Sequence, residues 1–214
     1  MQDIPRVVHA ASLGAAWIEV AQRILDEGAE STYDDLPIIE LAHVVLIVAS
    51  PDPDDAIIAR HGDPERLAWM HANFTQPERV AELGDADSYA TRLYDYMHIG
   101  RDQVAWVIER LRRDRLSRSA TITTFQPLTD SSYIPCVSLL DFWVREGALE
   151  LVVYAHSIDF GTKGYANLVE LAAIQQRVAQ ALDMPVGQMV MTVKSAHIYA
   201  TERDEMAALC AGEV

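Results

Sequence analysis

IPCVSLLDFWVREGALELVVYAHSID, residues 134–159, is the stretch whose reading decides the fold. Ile134 to Val144 and Leu149 to His156 are rich in β-branched, Leu and aromatic residues, the composition of strands. Between them, Arg145-Glu146-Gly147-Ala148 is polar and centres on a glycine, as a tight hairpin turn requires. With the turn centred between Glu146 and Gly147, counting back along both arms sets Cys136 across from Ser157. His156 then lies beside it, and Asp159 just past the strand end. One residue more or less in the turn moves the partner by about two positions, so the neighbourhood is fixed more firmly than the pair. A cysteine among polar residues at a strand end is an unusual setting for a structural thiol.

Working outward, Ser12 to Gly28 reads as an amphipathic helix. Leu13, Trp17, Val20, Ile24 and Leu25 recur at helical spacing, Ser12 suits the start and Gly28 the end. Val44-Val45-Leu46-Ile47-Val48 is a strand that stops before Pro51. Pro53 to Leu83 is polar, with short helical pieces such as Pro64 to Asn73. Gln103 to Arg113 carries Val104, Val107, Ile108 and Leu111 on one helical face. Ala120 to Phe125 and Val190 to Tyr199 read as further strands. Tyr165 to Leu182 is a long helix whose broad apolar surface implies burial. Strands adjacent in sequence around one buried helix predict an α+β fold with a mixed sheet, in a single domain over residues 1–214.

The chain has 214 residues, half of them apolar, enough for one core. Its net charge of −15 argues against a nucleic acid polymer as partner, because phosphate backbones are held by clustered Lys and Arg. The apolar run from Val44 to Ala49 is far too short to cross a bilayer, and MQDIPRVVHA lacks the pattern of a signal peptide. No membrane association and cytoplasmic residence are therefore expected. Cys136 and Cys210 cannot form a disulfide framework or a four-cysteine zinc site. His43, His61, His71 and His98 show no ligand spacing, so no metal is expected. Gly161-Thr162-Lys163-Gly164 lacks the glycine spacing of a dinucleotide or P-loop site, and no hydrolase signature surrounds either cysteine.

Taken singly, the candidate residues have plain structural readings. Cys136 is first a core thiol, His197 a core histidine, Asn167 a helix cap and Glu40 a surface carboxylate before a strand. Taken jointly they form a pattern. Pro135-Cys136, His156-Ser157-Ile158-Asp159, Ala166-Asn167 and Ala196-His197-Ile198-Tyr199 resemble the thymidylate synthase blocks Pro-Cys, Arg-Ser-x-Asp, Phe/Ala-Asn and His-x-Tyr. Tyr89-Ala90-Thr91-Arg92, Asp102-Gln103 and Ser117-Arg118 resemble further blocks of that family. Leu13-Gly14-Ala15-Ala16-Trp17 and Glu40-Leu41 look most like its short, archaeal-type branch.

The resemblance implies a one-carbon transferase acting at C5 of a pyrimidine nucleotide or nucleoside, with 5,10-methylenetetrahydrofolate as co-substrate. Cys136 would be the nucleophile that adds to C6 and makes C5 reactive. By the same resemblance Asn167 would read the base edge, Glu40 would organise a proton relay through water, and Tyr89 would wall the site. Ser157 would meet the phosphate, His197 and Tyr199 the ribose, and Asp159 the folate. Arg118 would cross a homodimer interface into the partner's site. A nearby positive charge must favour the thiolate, and Arg118 or protonated His156 are the candidates.

Departures from the family pattern carry their own expectations. His156 stands where an arginine would grip phosphate, Ser119 replaces a second, and residues 30–37 contain no arginine. Each charged hydrogen bond is typically worth about 1.5–3 kcal/mol, so phosphate affinity should fall unless Lys163 or Lys194 compensates. The substrate is then expected to differ from plain dUMP. Only Ala200 to Val214 follow the His-x-Tyr block; the lack of a long closing tail would let water add and favours hydroxymethylation, but the archaeal-type branch is short as well, so methylation and hydroxymethylation both stay open. The same missing arginines motivate a competing reading, a catalytically lapsed relative that binds nucleotides or serves as a scaffold.

Overall fold

A computed structural model describes residues 5–131 and 133–212, the Glu82 side chain excepted. Residues 1–4, the start of the N-terminal stretch read above, lie outside them. The chain opens with β1 (Arg6–Ala10), α1 (Leu13–Glu27), β2 (Ala29–Tyr33) and β3 (Leu36–Val48). Next come α2 (Ala56–His61), α3 (Pro64–Thr75), β4 (Arg79–Val80), β5 (Ala86–Asp87), α4 (Tyr89–Tyr94) and α5 (Gln103–Arg113). The second half holds β6 (Thr121–Thr123), β7 (Val137–Arg145), β8 (Ala148–Asp159), α6 (Gly164–Ala181), β9 (Val186–Tyr199) and α7 (Arg203–Ala211).

The fold is α+β, built on one seven-stranded mixed sheet in the order β1-β3-β9-β8-β7-β6, with β2 paired to the first half of β3. β1 with β3 and β8 with β9 run parallel, and the other neighbours antiparallel. Alternation along the strands decides the two faces. Val44, Val193 and Ala155 lie side by side, then Leu46, Met191 and Val153, then Val48, Met189 and Leu151, all buried. On this inner face sit α1 and α6; twelve of the residues of α6 are buried, which is why its sequence is apolar nearly all round. Trp17 of α1 donates its Nε1–H to Phe160 O at 2.8 Å and packs 4.5 Å from the Tyr165 ring, tying α1 to the start of α6. Among the described residues the opposite face has no such cover. Val7, Trp143 and Tyr154 are each more than a third exposed there, beside half-buried Val45, Ile47, Val152 and Val190.

The central hairpin forms as read, with Glu146 and Gly147 both at positive φ in the two-residue turn that matches strand twist. Pairing follows the expected register from Arg145–Ala148 to Leu139–Tyr154, then slips by one between Leu139 and Val137. This bulge at Ser138 corrects the count: the Cys136 carbonyl accepts from His156 N at 3.0 Å, so His156, not Ser157, is the partner. Cys136 also stands just before β7 rather than inside it. A second correction is β3, which reaches back to Leu36 and forms a hairpin with β2. Its turn residues, Asp34 and Asp35, both take positive φ. Aspartate tolerates that conformation, but the pair lacks the glycine that marks such turns in a sequence. β6 covers only Thr121–Thr123 of the expected Ala120 to Phe125.

Gly14 shows how tightly the site's scaffold is assembled. A Cβ there would lie 2.4 Å from Asp55 Oδ1 and 2.5 Å from Ile57 Cβ. Asp55 accepts from Gly14 N at 2.9 Å and caps α2 through Ile57 N and Ile58 N. Gly14→Ala must therefore push α1 and α2 apart, and is expected to cost about 1–3 kcal/mol in urea denaturation. An unchanged midpoint would show that the contact yields freely.

Candidate functional site

The carboxyl end of β8, the end of β9, the residue before β7 and the N-cap of α6 converge on one cavity of about 570 Å³. β8 supplies His156, Ser157 and Asp159 to its wall; β9 supplies His197 and Tyr199. Cys136 enters from the approach to β7, Lys163 from the N-cap of α6, Tyr33 from the end of β2 and Asp34 from the β2–β3 turn. Parallel pairing of β8 with β9 sets Ser157 beside Ser195 and Asp159 beside His197, which explains why residues forty apart in sequence meet.

Cys136 is clamped through its neighbour. Val137 N donates to the buried Tyr89 hydroxyl at 2.9 Å, and the Thr124 hydroxyl donates to Val137 O. Protein atoms crowd the sulfur although the residue keeps part of its surface open to the cavity. Burial pushes the thiol up; the Lys163 ammonium and a hydrogen bond from Tyr133 pull it down, and Asp159 pushes it up again. The Tyr133 and Tyr89 phenols are raised, first by burial and then by the sulfur's proximity.

His197 is buried, with Nδ1 3.4 Å from Ser157 Oγ, and its Nε2 has no hydrogen-bond partner among the described residues. A buried ring nitrogen left so is costly unless a ligand or water completes it. Burial lowers the His197 imidazole; Asp159 and Glu40 oppose that and Lys163 adds to it. Tyr33 and Tyr199 flank the ring at 5.6 and 5.4 Å between centroids. The Tyr199 phenol is pushed up to about 12, by burial first and Asp159 second. Asp159 itself organises the loop: Oδ1 accepts from Gly161 N at 3.0 Å and Thr162 N at 3.2 Å, and Oδ2 accepts from the Thr162 hydroxyl.

Six of the ten candidate residues thus line one cavity: Cys136, His156, Ser157, Asp159, His197 and Tyr199. Four do not. Tyr89 stands behind Val137, and Glu40 sits beside His197 in the sheet, where its carboxylate accepts from the Ser195 hydroxyl. Asn167 is buried in α6 and spends Nδ2 on Lys163 O at 3.1 Å. Arg118 is exposed on the loop before β6, away from this chain's cavity. Within one chain Arg118 is outside the cavity, and burial, then Lys194, lowers the His156 imidazole toward its neutral form. Tyr33 and Tyr133 were not legible as site residues; Tyr133, three residues before Cys136, carried the only local hint.

Among the described residues no group of three or more His, Cys, Asp or Glu is arranged to hold a metal ion, and no helix is long and apolar enough to cross a membrane. Residues 63–213 match the family model described as "Thymidylate synthase". A protein of Methanothermobacter marburgensis, named "Putative thymidylate synthase", is 29% identical over 90% of this chain and 92% of its own length. Relatives of the same name from Methanosarcina barkeri and Methanosarcina acetivorans are 28% and 27% identical, each over 94% of this chain and 93% of theirs.

Proposed function

The chain belongs to the thymidylate synthase family, and from that premise we propose that it transfers a one-carbon unit to C5 of a pyrimidine through a covalent adduct at Cys136. The observation that carries this reading is the shared lining of one cavity by Cys136, Ser157, Asp159, His197 and Tyr199. The thiolate adds at C6, breaking the ring's conjugation and leaving an enolate whose C5 is nucleophilic. After C5 has gained its new bond, loss of the C5 proton and expulsion of the Cys136 sulfur restore the ring. Glu40, beside His197, is suited to organise the water that moves these protons. His197 Nε2 and Tyr199 meet sugar hydroxyls, Ser157 an anionic group if one is present, and Asn167 offers Oδ1 to a base N–H.

The residues fit 5,10-methylenetetrahydrofolate as co-substrate. The cavity falls within the range of about 300–1,000 Å³ usual for small-molecule sites, and the Asp159 carboxylate on its wall suits the donor edge of a pterin. Bound there, the folate supplies the one-carbon unit. Asp159 and the loop it orders, Gly161 to Lys163, hold and orient it.

A homodimer completes the site on this reading. The uncovered sheet face, with Val7, Trp143 and Tyr154, is the surface such a dimer would bury, and Arg118 lies on a loop leading into the edge strand β6. Mixing inactive Cys136→Ala with inactive Arg118→Ala protein, under conditions that exchange subunits, is expected to regain activity because one site in the mixed dimer keeps both residues. Mixtures as inactive as their components would contradict a shared site. No part of this reading calls for a membrane or a nucleic acid polymer, and cytoplasmic residence suits it.

Substrate choice follows from charge. On one chain's described lining Asp34 and Asp159 face a single lysine and no arginine, and the proposed dimer would add only Arg118, which suits a weakly charged or uncharged pyrimidine better than a phosphate dianion. Mass spectrometry of products made from dUMP, CMP and their nucleosides tests this: a gain of CH2 identifies methylation, and CH2O hydroxymethylation. Efficient turnover of dUMP with none of nucleosides would contradict the substrate assignment.

A further inference from the structure

A half-enclosed thiol needs something to hold its anion, and the surroundings of Cys136 narrow the choice. His156 is held toward neutrality by burial and Lys194, and this chain's own Arg118 is outside the cavity, so an Arg118 charge can reach the site only from across the proposed dimer. Arg92, buried behind this wall, is fully engaged by both Asp130 oxygens and by the carbonyls of Asp87 and Thr124. From the other elements, Tyr33 of β2, Tyr89 of α4, Tyr199 of β9, Tyr133 and Asp159 of β8 bear on the sulfur. Asp159 brings negative charge, and the phenols are raised and so stay protonated. Lys163 remains.

Its position breaks the rules for helix starts. Lys163 occupies the N-cap of the eighteen-residue α6 without making any side-chain capping bond. A cation there opposes the helix dipole, where Ser, Thr, Asp or Asn would be favoured. Local rules broken in a well-ordered element point to function. The backbone around it is pinned: Lys163 O accepts from Asn167 N and Nδ2, both at 3.1 Å, and Asp159 holds the two residues before it. The side chain is therefore delivered to the cavity from a fixed base, and Asn167 gains a structural task besides any contact with substrate.

We infer, resting on the function proposed above, that the Lys163 ammonium is this chain's own charge favouring the Cys136 thiolate against the effect of burial, with the Tyr133 hydroxyl donating to the same sulfur. Lys163 is a positioning residue in this sense: it acts through Cys136 and adds a positive charge to a wall where His156 stands in place of an arginine of the family pattern.

The test is the pH profile of Cys136 alkylation by iodoacetamide, an uncharged reagent, in the full-length protein. Peptide mass spectrometry separates Cys136 from Cys210, which lies on α7 outside the cavity and serves as the internal control. Lys163→Met is expected to shift the Cys136 profile to higher pH and slow its labelling near neutrality by roughly tenfold, the effect of about one pKa unit. Lys163→Arg should restore the wild-type profile, and Tyr133→Phe should shift it in the same direction by less. An unchanged Cys136 profile in Lys163→Met overturns the inference. Should that variant label Cys210 faster, a sign of unfolding, Lys163→Gln takes its place with the same two outcomes. The profile needs neither nucleotide nor folate, so its failure leaves the one-carbon transfer standing. Loss of Cys136-dependent exchange at the substrate's C5 would instead remove the transfer and leave the profile intact.

Discussion

Cys136→Ser is expected to reduce turnover by at least about a thousandfold while leaving the fold and ligand binding in place. The serine hydroxyl is nearly the same size but a far weaker nucleophile, and among the described residues no histidine is placed to deprotonate it. The imidazole of His197 is occupied by Ser157 at Nδ1, and His156 makes its 3.5 Å contact with Ser138. The backbone clamp, Val137 between Tyr89 and Thr124, does not involve the sulfur and should survive. Steady-state rates, with circular dichroism and calorimetric titration of the substrate as controls, check this. Turnover within tenfold of wild type would contradict a covalent role for Cys136.

Arg92→Met is expected to have the largest effect on stability. The Arg92 and Asp130 side chains are 2% and 4% exposed and meet through two bonds of 2.7 and 2.9 Å. Breaking a buried pair from one side typically costs about 3–5 kcal/mol, because the remaining charge is left without a partner. For a chain of this size that corresponds to a Tm lower by roughly 10 °C. The loss extends to the site. Arg92 also holds Thr124 O, Thr124 holds Val137 O, and Asp130 accepts from Gln126 N, so one guanidinium organises the approach to Cys136. Differential scanning calorimetry reads the shift. A Tm within 2–3 °C of wild type, by the same scaling, would show that the pair is replaceable.

Much of this architecture could be read from the chain because local chemistry and tertiary structure agree. Gln103 to Arg113 forms the helix its periodicity demands, with Asp102 capping the start. Ser12 caps α1, and Gly147 turns the central hairpin. What escaped depends on relations that no local pattern records. The bulge at Ser138 leaves the composition of β7 unchanged, yet it exchanges Ser157 for His156 opposite Cys136. Asp34-Asp35 turns a hairpin without the usual glycine, which hid β2 and brought Tyr33 to the cavity unannounced. Lys163 was legible as a cation that could compensate for a missing arginine, but its place beside Cys136 depends on the loop ordered by Asp159, which carries it into the wall. Asn167 was legible as a conspicuous residue, but its bond to Lys163 O depends on the chain conformation at the start of α6.

Everything in this account turns on a sulfur–carbon bond that forms at C6 and loosens the hydrogen at C5. The most direct measurement is release of tritium from C5 of a labelled pyrimidine into water, without folate, by the wild-type protein and by Cys136→Ala. The expected result is release by the wild type that disappears in the variant. Equal release by both proteins, or none by the wild type with any uracil or cytosine nucleoside or monophosphate, would contradict the adduct and leave a binding protein in its place.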